Sequence, residues 1–113
     1  MNIVNTNNVE HYKWGQNSDG WHLLKSNELS VIEELVPPNE KEERHFHNDS
    51  QQFFYVLEGV GHIEIDGEMF ELKTGNGIHV PAKVPHQLMN KGDENLRFLV
   101  VSQPKSHGDR VSA

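Results

Sequence analysis

The chain has no cysteine. That excludes disulfides, thiolate metal sites and a cysteine nucleophile, and it leaves the redox compartment open. Any bound metal must then use nitrogen and oxygen ligands. Long apolar runs are absent too, so no segment is expected to span a bilayer and no membrane partner is implied. No basic stretch followed by an apolar one stands near the start, so no signal peptide is read and the cytoplasm is the default location. Positive charge is scarce: 10 Lys and Arg against 17 Asp and Glu leave a net charge of −7. The lysines form no dense patch, which argues against nucleic acid as a partner. The stretch "GVGH" is no phosphate loop, because its glycines lack a following Lys-Ser/Thr and open no helix.

What remains reads as short strands. A length of 113 residues suggests one domain, with no room for a second core. Residues 1–20 are rich in Asn and polar, an N-terminal arm with a short strand near its end. Residues 21–103 carry the barrel, and 104–113 form a polar tail open to disorder. The run "LSVIEELVPP" fits a short helix or a strand; the strand is preferred because every later segment is short and β-like. Pro37 and Pro38 end either element. "QQFFYVLEG" is the strongest strand, aromatic and β-branched and stopped by Gly59. Asp66-Gly67 is the dipeptide of a tight two-residue hairpin turn. Eight or more short strands with Gly- and Pro-rich turns predict an all-β sandwich or closed barrel.

Four residues carry the chemistry. His45 and His47 are spaced i, i+2, so on a strand they point the same way. Gln52 begins the strongest strand, and His86 follows Pro85 at the head of another. A closed sheet can gather these three imidazoles and one amide around a single divalent ion, with Zn, Ni, Fe, Mn and Cu all suited. Strand parity places Phe54 and Val56 on the face of Gln52, and Leu88 on the face of His86. These three are expected to line a pocket apolar around a polar centre, which suits a small organic ligand. Trp21 and His22 are further candidates for its mouth, with Trp21 equally suited to packing at an interface between copies.

The two histidine segments resemble the motifs of the cupin family, in its small single-domain form. In the first, G-x5-H-x-H-x3,4-E-x6-G, His45, His47 and Gly59 match; Asn39 replaces the leading Gly and Gln52 stands where the family has Glu. In the second, G-x5-P-x-G-x2-H-x3-N, Gly75, Pro81, His86 and Asn90 match, and Lys83 replaces the middle Gly. The resemblance spans residues 29–101. It implies a double-stranded β-helix, or jelly-roll barrel, with a metal on His45, His47, Gln52 and His86. It also implies a homodimer, in which residues 3–14 can be exchanged onto the partner's sheet. A cupin with such a site is either a metal-dependent enzyme or a non-catalytic module that binds or senses a small molecule, since the fold serves both. The enzyme reading covers a dioxygenase, or an isomerase, cyclase or lyase that uses the metal as a Lewis acid. A neutral Gln52 leaves the metal more positive than a Glu would, which favours the second group.

Overall fold

The computed structural model describes residues 1–113 and contains eleven strands and no helix. They are β1 (His11–Trp14), β2 (Ser18–Lys25), β3 (Ser30–Val36), β4 (His45–His47), β5 (Gln51–Glu58), β6 (Gly61–Ile65), β7 (Glu68–Leu72), β8 (Gly77–Val80), β9 (His86–Met89), β10 (Leu96–Gln103) and β11 (Arg110–Ser112). All pairings are antiparallel. One sheet has six strands in the order β1-β2-β3-β10-β5-β8, the other five in the order β11-β4-β9-β6-β7. The two sheets enclose the core in a jelly-roll barrel, the fold expected from the sequence.

Period-two alternation explains the packing. On β5 Gln52, Phe54 and Val56 turn inward, while Phe53, Tyr55 and Leu57 turn out. On β10 Leu96, Phe98, Val100 and Ser102 are buried. The core joins these to Ile32 and Val36 of β3, Ile63 of β6, Leu72 of β7, Val80 of β8 and Leu88 of β9. The "LSVIEELVPP" segment is the strand β3, because its neighbours β2 and β10 satisfy its backbone on both sides.

Strands β1 and β11 lie outside residues 21–103. β1 pairs with β2 of the same chain, with Tyr12 opposite Gly20. A side chain at position 20 would collide with the Tyr12 ring, so glycine is what lets that ring lie down on β2. The tail, expected to be polar and open to disorder, carries β11, which pairs with β4 and sets Arg110 opposite His47. The short polar run 110–112 gave no apolar signal of this, since an edge strand can be held by backbone pairing alone.

Two motif departures have a backbone explanation. Asn39 and Lys83 both have positive φ, 68° and 71°. These are the two motif positions where this chain replaces Gly, the residue that adopts this conformation without steric penalty. The turns are therefore kept although the glycines are gone. Asp66 and Gly67 are also both at positive φ, as a two-residue hairpin turn of this kind demands.

Candidate metal centre and cavity

His45 and His47 lie on the inner face of β4, and His86 heads β9 directly beside it; His45 and His86 are register partners. All three are buried, and one nitrogen from each lies within 4.8 Å of the others. The loop that delivers His86 is tied down at Lys83, whose backbone N–H donates to the His47 carbonyl at 2.7 Å. Gln52 reaches the same point from β5 of the other sheet.

Hydrogen bonds set the tautomers. The His45 Nδ1–H donates to the Glu43 carbonyl at 2.7 Å, and the His86 Nδ1–H to the Val84 carbonyl at 3.0 Å. Each ring thus presents a bare Nε2 lone pair inward. His47 has no hydrogen-bond partner on either ring nitrogen. Burial pushes His45 down to about 3, against the hydrogen bond to Glu43 and with the help of the neighbouring imidazoles. Burial followed by the charge of His86 pushes His47 down to about 4, and burial also lowers His86. At neutral pH the cluster is three uncharged imidazoles with free lone pairs.

Gln52 completes the picture. Its Nε2–H donates to the Ser102 hydroxyl at 3.0 Å, which turns Oε1 toward the His86 Nε2 at 3.1 Å. Both atoms of that contact are acceptors, so neither satisfies the other. Together with the unpartnered His47 nitrogens, this is the signature of a donor set that fits a divalent cation: buried, rigid, nitrogen-rich and uncharged.

The imidazoles open into a cavity of about 340 Å³. Of the residues expected to line it, His45, His47, Gln52 and Phe54 do. His86 sits just behind them, its ring 5.9 Å from that of Phe54. Val56 and Leu88 share the expected faces but lie deeper, in the closed core rather than on the cavity. Trp21 is on the outer surface of β2, where the Arg97 guanidinium stacks 5.3 Å from its ring. His22 is buried but lines a separate recess. Parity alone gives a residue's face, not its depth along the barrel axis, and β2 carries an irregularity after His22 that parity cannot anticipate.

The cavity also holds a second polar cluster that the sequence did not single out: Tyr12, Glu34, Glu42 and Arg110. Glu34 alternates with Ile32 and Val36 on the inner face of β3, which is the one signal that would have found it. The Tyr12 hydroxyl donates to the Glu34 Oε2 at 3.0 Å. Glu42 accepts the Leu88 backbone N–H at 2.9 Å. Burial pushes Glu34 up to about 7, against the Tyr12 hydrogen bond and the charge of Arg110. Burial pushes Glu42 up to about 8, partly offset by the Leu88 N–H and reinforced by Glu34. The Arg110 guanidinium donates to the Glu43 carbonyl at 3.1 Å, and the residue before it, Asp109, carries a carboxylate. That carboxylate accepts the backbone N–H groups of Asn48, Asp49 and Ser50 at 3.2, 2.9 and 2.9 Å. It fixes the turn between His47 and Gln52 as well.

The geometry agrees with what sequence and structure comparisons find. The Cupin_2 family, described as a cupin domain, matches residues 32–102. The uncharacterized protein MJ1618 of Methanocaldococcus jannaschii is 38% identical over 89 residues, which are 78% of this chain and 71% of that protein. The polyketide synthase CurC of Streptomyces cyaneus is 34% identical over 70 residues, 62% of this chain and 46% of that protein. The chain therefore spans under half the length of CurC. Among solved structures, the polyketide cyclase RemF from Streptomyces resistomycificus superposes with a TM-score of 0.85 at 23% identity, over 100% of this chain and 85% of RemF. With both histidine motifs on one barrel and the family matched across most of that barrel, this chain belongs to the cupin family.

Proposed function

We propose that the chain is a metal-dependent enzyme of polar chemistry: an isomerase, cyclase or lyase acting on a small carbonyl compound. The observation that supports this reading best is the pairing, in one cavity, of a three-imidazole donor set with two half-buried carboxyl groups whose pKa values are raised toward neutral pH. His45, His47 and His86 would hold one divalent ion, with the Gln52 oxygen as a further donor. When bound, such an ion supplies Lewis acidity toward a substrate oxygen. Glu34 is placed to give or take a proton, because its pKa lies near working pH and general acid–base groups act best there. Tyr12 orients it through their hydrogen bond. Trp14, Ile32, Phe54 and Val100 exclude water from the apolar part of a ligand, and Arg110 offers positive charge to an anionic one. That RemF is a polyketide cyclase and CurC a polyketide synthase supports this reading. A homodimer is part of the proposal, built on the outward Phe53, Tyr55 and Leu57, which are all exposed on β5.

The test is elemental analysis of untagged protein, followed by reconstitution of chelated protein with single metals. Near one zinc or manganese per chain supports the reading; iron, nickel or copper turns it toward oxygen chemistry. Metal-loaded protein is then assayed in heavy water for α-proton exchange on a panel of enolisable aromatic and aliphatic carbonyl compounds. Exchange that disappears in His86→Ala together with the metal supports an enzyme. Tight metal and ligand binding without any exchange would make the chain a binding module instead.

A further inference from the structure

Beside the main cavity lies a second recess of about 320 Å³. Its lining contrasts with that of the first: no carboxylate, one apolar side chain, two lysines and two histidines. Local structure builds it. The turn between β2 and β3 brings Lys25 and Asn27 to one rim. The segment after β10 brings Lys105 to the same rim, because its backbone N–H donates to the Asn27 carbonyl at 3.1 Å. His22 and Ser30, inward residues of neighbouring strands, lie at its base.

Those two residues carry the decisive feature. His22 is 8% exposed and Ser30 4%. The His22 Nδ1 and the Ser30 Oγ are both buried without any hydrogen-bond partner. Buried polar atoms are nearly always paired, and each one left unpaired is destabilising. Here two such atoms share one recess, and both can donate, the hydroxyl directly and the imidazole in its Nδ1–H form. Two ammonium groups stand above them. Lys25 also contacts Glu10 at 3.0 Å, but both groups of that pair are exposed, and a surface ion pair of this kind is weak enough to yield to a better partner.

Donors below and positive charge above match a ligand with several acceptor oxygens and a negative charge. We propose that this recess binds an oxyanion group, a phosphate or a carboxylate. His22 and Ser30 donate to it from the base, and Lys25 and Lys105 neutralise it. The site does not depend on the metal reading. It does adjoin the main cavity: Ile32 and His107 line both spaces. The rings of Tyr12 and His107 pack on His22 at 5.0 and 5.1 Å, forming the wall between them.

Titration supports the geometry. Burial, then Lys25, lowers the pKa of both His22 and His107. Glu10 acts in the opposite sense on both, while Lys105 and Arg110 add to the lowering at His107. An oxyanion in the recess opposes the lysine charge beside His22, so binding should raise the His22 pKa.

The experiment is histidine-selective NMR of chelated, full-length protein titrated with inorganic phosphate, ionic strength being held constant with chloride. Saturable shifts at His22 and His107, with an upward pKa shift at His22, are expected. Lys25→Ala with Lys105→Ala should weaken phosphate by about tenfold or more, the scale of two lost charge-assisted contacts. Both positions are exposed, so the fold should tolerate the change. Ser30→Ala should weaken binding while leaving the rim charges alone. Acetate in place of phosphate tells the two oxyanion classes apart. A linear, unsaturated response, shifts confined to His45, His47 and His86, or unchanged affinity in the lysine or the Ser30 variants would overturn the site.

Discussion

The histidine cluster and the carboxyl cluster of the main cavity are built from opposite kinds of group, yet burial acts on both in the same way. Desolvation disfavours whichever form is charged. Bases therefore lose their protons and acids keep theirs. His45 and His47 fall to about 3 and about 4, while Glu34 and Glu42 rise to about 7 and about 8. One cluster offers lone pairs and the other offers protons, side by side in one cavity. The difference shows how a single cavity prepares both a cation site and a proton donor. It also yields tests in which one cluster is altered and the other should stay intact.

Glu34→Gln should have the largest effect. The amide is isosteric and can still accept from the Tyr12 hydroxyl, but it cannot carry the proton. Proton exchange on a responsive carbonyl compound should drop by roughly 10²–10⁴-fold, the usual contribution of a general acid or base. Metal content per chain should not change. If exchange survives in the variant, Glu34 is not the proton carrier; if metal is lost with it, the two clusters are not separable.

Gln52→Glu alters the other side by a smaller amount. An amide suits two states. Its oxygen can face a cation, or the group can turn over and donate its N–H to the His86 Nε2 while accepting from the Ser102 hydroxyl. A carboxylate suits the cation far better, since it adds negative charge to an otherwise uncharged donor set. Metal affinity, read by competition with a chelator, should rise by roughly tenfold, the scale on which such ligand surroundings act. Exchange activity should fall, because the ion would keep less positive charge for the substrate oxygen. Unchanged affinity would place Gln52 outside the ligand set.

How much of this was legible beforehand differs between the same two clusters. The histidines were readable because i, i+2 spacing and a proline-led His86 belong to local strand patterns, and the cupin motifs tie the two segments together. Glu34 and Glu42 were not: Glu34 on strand β3 looks like any solvent-facing charge until the barrel closes, and Glu42 sits in the charged loop before β4. Arg110 and Tyr12 were still harder. They reach the cavity only through β11 and β1, edge strands whose pairing is decided by partners distant in the chain. The fold itself was readable almost throughout, as alternation on β5 and β10 and the Asp66-Gly67 turn are local features. Depth was not, so Val56 and Leu88 were correctly faced but placed too near the ligand space.

The smallest effect joins both clusters in one measurement, the pH dependence of stability in metal-free protein. The histidines have folded pKa values below their unfolded value near 6.5. They contribute stability that is present above pH 6.5 and is lost as pH falls toward 4 and then 3. The glutamates have folded values above their unfolded value of 4.5. Their contribution is complete below pH 4.5 and is lost as pH rises through about 7 and about 8. Between these limits the trends oppose: His45 and His47 balance the two glutamates, and His86, lowered as well, tips the sum to the histidine side. Above pH 6.5 only the glutamate trend remains. Urea midpoints of chelated protein should therefore peak near pH 6.5 and fall on both sides. Glu34→Gln should flatten the alkaline side and steepen the acid side between pH 4.5 and 6.5, because Gln does not titrate and the histidine trend is then less opposed. Saturating metal should do the reverse: it binds only the neutral imidazoles of the folded state, so it steepens the acid side. An acid side that Glu34→Gln flattens as strongly as the alkaline one would mean that the two clusters titrate as one unit, and the comparison between them would no longer hold.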